Sequence, residues 1–468
     1  MVKNPLRLTL LCFNWYLGNG ELPETKARLY EQFVEDFYVW KQEQFPTTIE
    51  QRTQLNRALG ELAREAIDKE DNRFQLRHDF ICQFLGVPEE DGSLFQLALN
   101  LGWLNKIGVE ENNRRQTVYA FFHPTFQEFF ATLTINDWHF FLNHTPSNPL
   151  QPDSSYRIFE QTWREIFLLW LGSSYTPDTQ KEELLNALMN FENRFGEHDF
   201  YGYRAKLLAA SGLSEFQEFS KTQDIVDWIL NLSIRQIATF NNPFANAARN
   251  HLKNMPEEIL SDTLAMLLRA ENSNLQHEAA KLAGEVKCST PKVIDALTDL
   301  VLTTQFTDTR CDALCSLLEI DPANRIAIDG LIQTLPSRDM DAALAIPAAQ
   351  VLRHAEVEQE RVAQALEQCI QPYLLEENSI LFPPQEDLIC AAAFSLLKIH
   401  PENKSSIPVL QLLAQNHSFQ IQRFQISKAL ERMGVENIGT EISTIPTNQE
   451  ILEAAFIEKI SALRDLVC

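Results

Sequence analysis

No glycine in this chain is followed by lysine. A loop that cradles nucleotide phosphates needs Gly-x-x-x-x-Gly-Lys-Ser/Thr, so that backbone N–H groups and the lysine surround the β- and γ-phosphates. These residues therefore hold no such loop. Gly434 and Gly439 have the glycine spacing, but Thr440 stands where lysine is required. A Gly-x-Ser-x-Gly elbow, a His-Glu-x-x-His helix and a Cys-x-x-Cys pair are also missing. His139 and His144 are five apart, poor spacing for a shared metal on one helix face. No catalytic residue, no metal ligand set and no enzyme activity is expected.

Basic residues are short as well: 40 Lys and Arg against 64 Asp and Glu give a net charge of −24. That sign opposes a nucleic-acid backbone and an anionic membrane surface. Hydrophobic runs of membrane length are absent too. Leu8 to Leu17 imitates a signal peptide, but Pro5, Arg7 and Asn14 interrupt the stretch and no small-residue cleavage site follows. Fifteen glycines in 468 residues favour helices over turn-rich sheet. The eight cysteines, unpaired in spacing, read as reduced thiols of a cytoplasmic chain. Cys311 and Cys315, at i, i+4, read as buried packing residues.

What is present is mostly helix signal. Residues 4–17 read as one apolar helix. A second runs from Pro23 to about Gln44, with Leu29, Phe33, Phe37 and Trp40 on one face. Thr47 or Thr48 caps a third that reaches Lys69, and Ser93 opens a short apolar helix to Leu101. Trp103–Val109 and Gln116–Phe122 are β-prone runs around a polar turn, a hairpin. Helices followed by one hairpin make the winged-helix plan. The helix that would read DNA, within Gly92–Asn105, carries no Lys or Arg before Asn105, so a DNA role is disfavoured.

The hairpin leads into Tyr119–Thr132, YAFFHPTFQEFFAT. Pro124 breaks the extended run. Thr125 to Glu128 has the capping-box pattern, and Phe126, Phe129, Phe130 and Leu133 follow at i, i+3, i+4 and i+7. On residues alone His123 reads as a structural histidine at a strand–helix joint.

Helices also fit near Tyr156–Leu171, Lys181–Arg194, Asp199–Ala210 and Asp224–Leu232, with Trp163, Phe167 and Trp170 as a core stripe. From about Asn241 the chain repeats. Ser316–Pro322 matches Ser395–Pro401, and the segment from Asn324 matches that from Asn403, 79 residues on. A unit of about 35–45 residues with an Ala-rich helix, a Pro-Asn turn and a second helix resembles a HEAT repeat. One such pair cannot bury its apolar face alone, so pairs stack. Glu450–Leu466 reads as a last, capping helix.

Two stretches are similar to signatures of the NACHT-type regulated NTPases, the family of the animal NOD-like receptors and many large bacterial signalling proteins. Asn4–Cys12 (NPLRLTLLC), continued by Leu22–Thr25 and Leu29–Phe33, resembles the segment after the nucleotide-binding core. Phe121–Thr132 (FFHPTFQEFFAT) resembles the end of the winged-helix domain. The resemblance implies that Pro5 packs near the adenine of a bound nucleotide and that His123 reaches a phosphate of ADP. It also implies a nucleotide-binding core before Asn4, so the chain reads as the C-terminal portion of such a protein. Pro5 and His123 are then half-sites, and ADP or ATP is a ligand only if another chain supplies the core.

The expectation is a mainly α chain. It has a helical remnant (1–45), a winged-helix domain (46–145), a helical spacer (146–240) and an α-solenoid of HEAT-like pairs (241–468). Its expected role is a non-catalytic regulatory or sensing module that binds protein partners. The alternatives are the regulatory half of a split NTPase, or a free-standing HEAT-repeat adaptor.

Overall fold

Helix dominates the chain. The computed structural model describes residues 12, 15, 23–69, 73–90, 92–109, 117–142, 157–191, 200–235, 243–335, 342–375, 383–403, 405–416 and 420–435. They fall into two compact units that divide after Pro256. Among the described residues no helix is long and apolar enough to cross a membrane. Apart from residues 12 and 15, the N-terminal apolar segment lies outside the described residues, as do the hairpin tip and the expected last helix.

In the first unit, α1 (Lys26–Lys41) starts where the Thr25 hydroxyl accepts the Arg28 N–H at 3.2 Å. Its buried stripe runs through Tyr30, Val34, Phe37 and Tyr38. Leu29 and Phe37 are buried as expected, but Trp40 is 65% exposed. The inward stripe passes one position to its side, and the Lys41 ammonium lies 4.6 Å over its ring instead. Helix α2 (Ile49–Lys69) opens on a reciprocal capping box. Gln51 N–H donates to Thr48 Oγ1 at 3.2 Å, and Thr48 N–H donates to Gln51 Oε1 at 3.0 Å.

A short strand β1 (Leu76–Arg77) runs into α3 (His78–Leu85), which ends at Gly86 with φ 78°. Helix α4 (Leu94–Leu101) starts at Ser93, whose Oγ accepts the Phe95 N–H, and ends at left-handed Gly102. Strands β2 (Leu104–Val109) and β3 (Thr117–Phe121) form the expected hairpin. The sheet order is β1-β3-β2, antiparallel throughout, with Leu104 opposite Phe121 and a bulge at Ile107. Helix α5 (Pro124–Thr132) leaves β3 directly and packs along α2. The order over 49–132 is thus helix, strand, two helices, hairpin, helix.

Among the described residues five more α-helices follow in this unit: α6 (Arg164–Gly172), α7 (Asp178–Met189), α8 (Phe200–Gly212), α9 (Thr222–Arg235) and α10 (Pro243–Leu252). Trp163, Phe167 and Trp170 are buried core, and the Trp170 indole N–H donates to the Ile135 carbonyl at 2.8 Å. The sequence placed the start of the repeats at Asn241. Helix α10 nevertheless packs on α8 and α9, so the second unit begins at Glu257.

Among the described residues the elements of the second unit are all helices: α11 (Glu257–Leu268), α12 (Ser273–Val286), α13 (Pro291–Thr303), α14 (Thr307–Ile320), α15 (Arg325–Thr334), α16 (Ala342–Leu352), α17 (Gln359–Leu375), α18 (Pro383–Ile399), α19 (Ser406–Asn416) and α20 (Gln420–Arg432). Among the described residues substantial packing joins only helices one or two apart in the chain. One row runs α12 on α14, α14 on α16 and α16 on α18. A second holds α11 on α13, α15 on α17 and α17 on α19.

The repeated sequence folds alike at both copies. Asp321 N–H donates to Leu317 O, and His400 N–H to Leu396 O, each at 2.8 Å. Asn324 Oδ1 then accepts the Ala327 N–H at 3.0 Å, and Asn403 Oδ1 accepts the Ser406 N–H at 3.0 Å. These asparagines cap α15 and α19. Asn324→Ala and Asn403→Ala should each destabilise the second unit by about 1 kcal/mol in calorimetry. A loss at one position only would break the equivalence.

Candidate functional site

The joint between β3 and α5 holds the one described residue that the sequence marks for ligand contact. Phe121 is buried, Phe122 is 51% exposed and His123 is half-buried. The capping-box reading of Thr125 to Glu128 is corrected here: α5 starts two residues earlier, with His123 as N-cap and Pro124 in the first turn. Proline's missing N–H and fixed φ suit that position, so it begins the helix and is not merely a break before it. Gln127, which lies between the two residues of that pattern, is buried and donates to the Arg73 carbonyl at 2.8 Å.

His123 Nδ1 accepts the Thr125 N–H at 3.2 Å and lies 3.0 Å from Thr125 Oγ1. Accepting the backbone N–H requires a lone pair on Nδ1, which puts the proton of the neutral ring on Nε2. Among the described residues Nε2–H has no partner. Burial pushes the His123 pKa down from its ordinary value. A histidine with a lowered folded pKa contributes stability that is complete above about pH 6.5 and lost as pH falls through the folded value. Between pH 7 and 5, the amide protection factors at Thr125 and Phe126, taken relative to the intrinsic exchange rate at each pH, should therefore fall in the wild type. His123→Asn keeps a side-chain acceptor and should lack that extra acid sensitivity.

The helix behind the joint is fixed by aromatic packing. Tyr30 meets Phe126 edge-on at 5.3 Å and stacks on Phe129 at 5.7 Å. Trp103 lies 4.5 Å from Phe37, 5.6 Å from Phe126 and 5.2 Å from Phe130. The expected Phe126, Phe129 and Phe130 face is thus the buried one: Phe126 and Phe129 meet α1 and Phe130 meets Trp103. Pro5, the other expected half-site, lies outside the described residues.

A second polar joint had no signal in the sequence. Buried Glu31 accepts from Ser173 Oγ at 2.7 Å, Ser174 N–H at 3.0 Å and Ser174 Oγ at 2.7 Å. Buried Glu215 accepts the Lys26 N–H at 2.9 Å, with Lys26 Nζ 3.3 Å away. Burial raises the Glu215 pKa while Lys26 opposes the rise. Thr25 Oγ1 donates to the Gly172 carbonyl at 2.7 Å. Both carboxylates are engaged in anchoring α1 to the end of α6 and the turn after α8. The partners lie far apart in the chain, so no spacing could reveal them.

The remaining candidates resolve into structure. Gly434, at φ 75°, terminates α20. Cys311 and Cys315 are buried. Among the described residues no group of three or more His, Cys, Asp or Glu could hold a metal ion.

No protein-family model matches the chain, and no curated protein matches it. Among solved structures it is similar to an engineered protein, at 17% identity and a TM-score of 0.26, over 85% of this chain and 98% of that one. A likeness at that score carries no argument about fold or function.

Proposed function

We propose that this chain is a non-catalytic regulatory and sensing module of the NACHT type, acting by binding protein partners through its second unit. The observation that carries the reading is the element order over residues 49–132. Helix, strand, two helices and a hairpin with sheet order β1-β3-β2 is the plan of a winged helix, and His123 stands where the family signature has its histidine. The two rows of helices after Glu257, each packed only on near neighbours, support a HEAT-like solenoid. Such stacks present long surfaces for other proteins. Helix α4, the groove-reading position of a winged helix, has no Lys or Arg, so the partner is protein rather than DNA.

One feature favours the split-NTPase reading beside it. The neutral Nε2–H of His123 is a donor at a helix start, the kind of group that would meet a phosphate held by another chain. Lysine cross-linking of the full chain in the cells that make it tests the main reading. Recurrent links from Lys281, Lys287, Lys292, Lys398 or Lys428 to one protein are expected. Links to nucleic acid through residues 73–109, or none beyond this chain, would contradict it.

A further inference from the structure

The second unit carries an exposed apolar strip whose unpaired charges are mainly acidic. On α11, Asp262, Met266 and Arg269 recur at i, i+4 and i+7. On α13, Lys292, Asp295, Asp299 and Leu302 recur at i, i+3, i+7 and i+10, so each set lies on one helix face. Two ion pairs join these faces: Lys292 to Asp262, and Arg269 Nη2 to Asp299 Oδ2 at 3.4 Å. Met266 lies between them along α11. Leu302 is near the end of α13, and Phe306 lies just beyond that end. Met266, Leu302 and Phe306 are 62%, 70% and 58% exposed. The row of helices is also interrupted after α13, which makes at most marginal contact with α15.

Charge selects the occupant. The two bases on the strip are already paired to Asp262 and Asp299. Asp295 on the strip, with Glu258 and Asp308 at its ends, has no ion pair among the described residues, and these three acids outnumber the exposed base beside Phe306, Arg310. A second copy of this chain, at −24, would bring more charge of the same sign.

We infer that this strip docks a basic amphipathic segment of a protein partner. Its apolar residues seat on Met266, Leu302 and Phe306, and its Lys or Arg residues meet Asp295, Glu258 and Asp308. The inference rests on the partner-binding reading above and adds the partner's chemistry.

The test uses the full chain and two labelled helical peptides of about 18 residues, long enough for five turns. One is built from Leu and Lys, the other from Leu and Glu, with the same apolar face. The Leu/Lys peptide should bind, more weakly as salt rises, and the Leu/Glu peptide should not. Leu302→Ser with Phe306→Ser should weaken binding about tenfold or more, as loss of apolar anchors does. Asp295→Lys with Asp308→Lys should weaken it and flatten the salt dependence. Leu412→Ser, an exposed apolar residue on α19, should change nothing.

Amide exchange with the Leu/Lys peptide bound should show protection over 257–269 and 291–308. Equal binding by the Leu302/Phe306 variant, equal binding of the Leu/Glu peptide, or no binding of either peptide would overturn the inference. Protection elsewhere within 257–435 would overturn this strip and leave the partner-binding reading standing. Protection confined to 23–252 would count against both.

Discussion

Replacing Trp103 with alanine is expected to lower the stability of the first unit by about 3–5 kcal/mol, the range for truncating a large buried aromatic. Trp103 is 1% exposed and lies at the meeting of α1, the hairpin and α5. Phe37, Tyr38, Phe126 and Phe130 all touch its ring, so no single neighbour can move in to fill the space. The cavity would open directly behind the helix that His123 caps. In calorimetry the transition of the first unit should fall by roughly 6–20 °C, while that of the second unit stays in place. A shift of both transitions together would mean that the two units unfold as one.

The second large effect is expected at Gly60. This residue is buried on α2, where α2 and α5 approach most closely. A Cβ there would stand 2.7 Å from the Phe130 carbonyl oxygen and 2.7 Å from Thr134 Cγ2. The carbonyl also accepts the Leu133 N–H at 3.1 Å, so it cannot swing aside without breaking the end of α5. On an exposed helix alanine would be favoured over glycine by about 1 kcal/mol. Here Gly60→Ala should instead destabilise by about 1–3 kcal/mol, and Gly60→Val by about 3 kcal/mol or more. Chemical denaturation of both variants, fitted for the first unit alone, checks the sign and the order.

The sequence told most where the physics is local. The helix starts at Thr48 and Ser93 and the β-prone runs on either side of residues 110–116 each act within a few residues, and each forms as its pattern requires. The 79-residue echo was legible for the same reason, because Asn324 and Asn403 cap their helices with the same local bond. What was hidden depends on distant chain. Strand β1 is two residues long and exists because β3 pairs with it from 117 onward. Trp40 fits the apolar spacing of α1, but which stripe faces inward is decided by Trp103 and α5. The anchoring of Glu31 and Glu215 joins segments more than a hundred residues apart. At the candidate site, the histidine and its joint were legible, but its capping role was not. A proline after a histidine reads equally well as a break or as the first turn of a helix.

We propose that this chain regulates and does not catalyse. That claim is tested most directly by measuring phosphate release from Mg²⁺–ATP by the purified chain, alone and carrying His123→Ala. The account predicts no release above the buffer rate in either case, since no Gly-Lys phosphate loop is present to hold the nucleotide. Sustained turnover that purifies with the wild-type chain and falls with His123→Ala would contradict it.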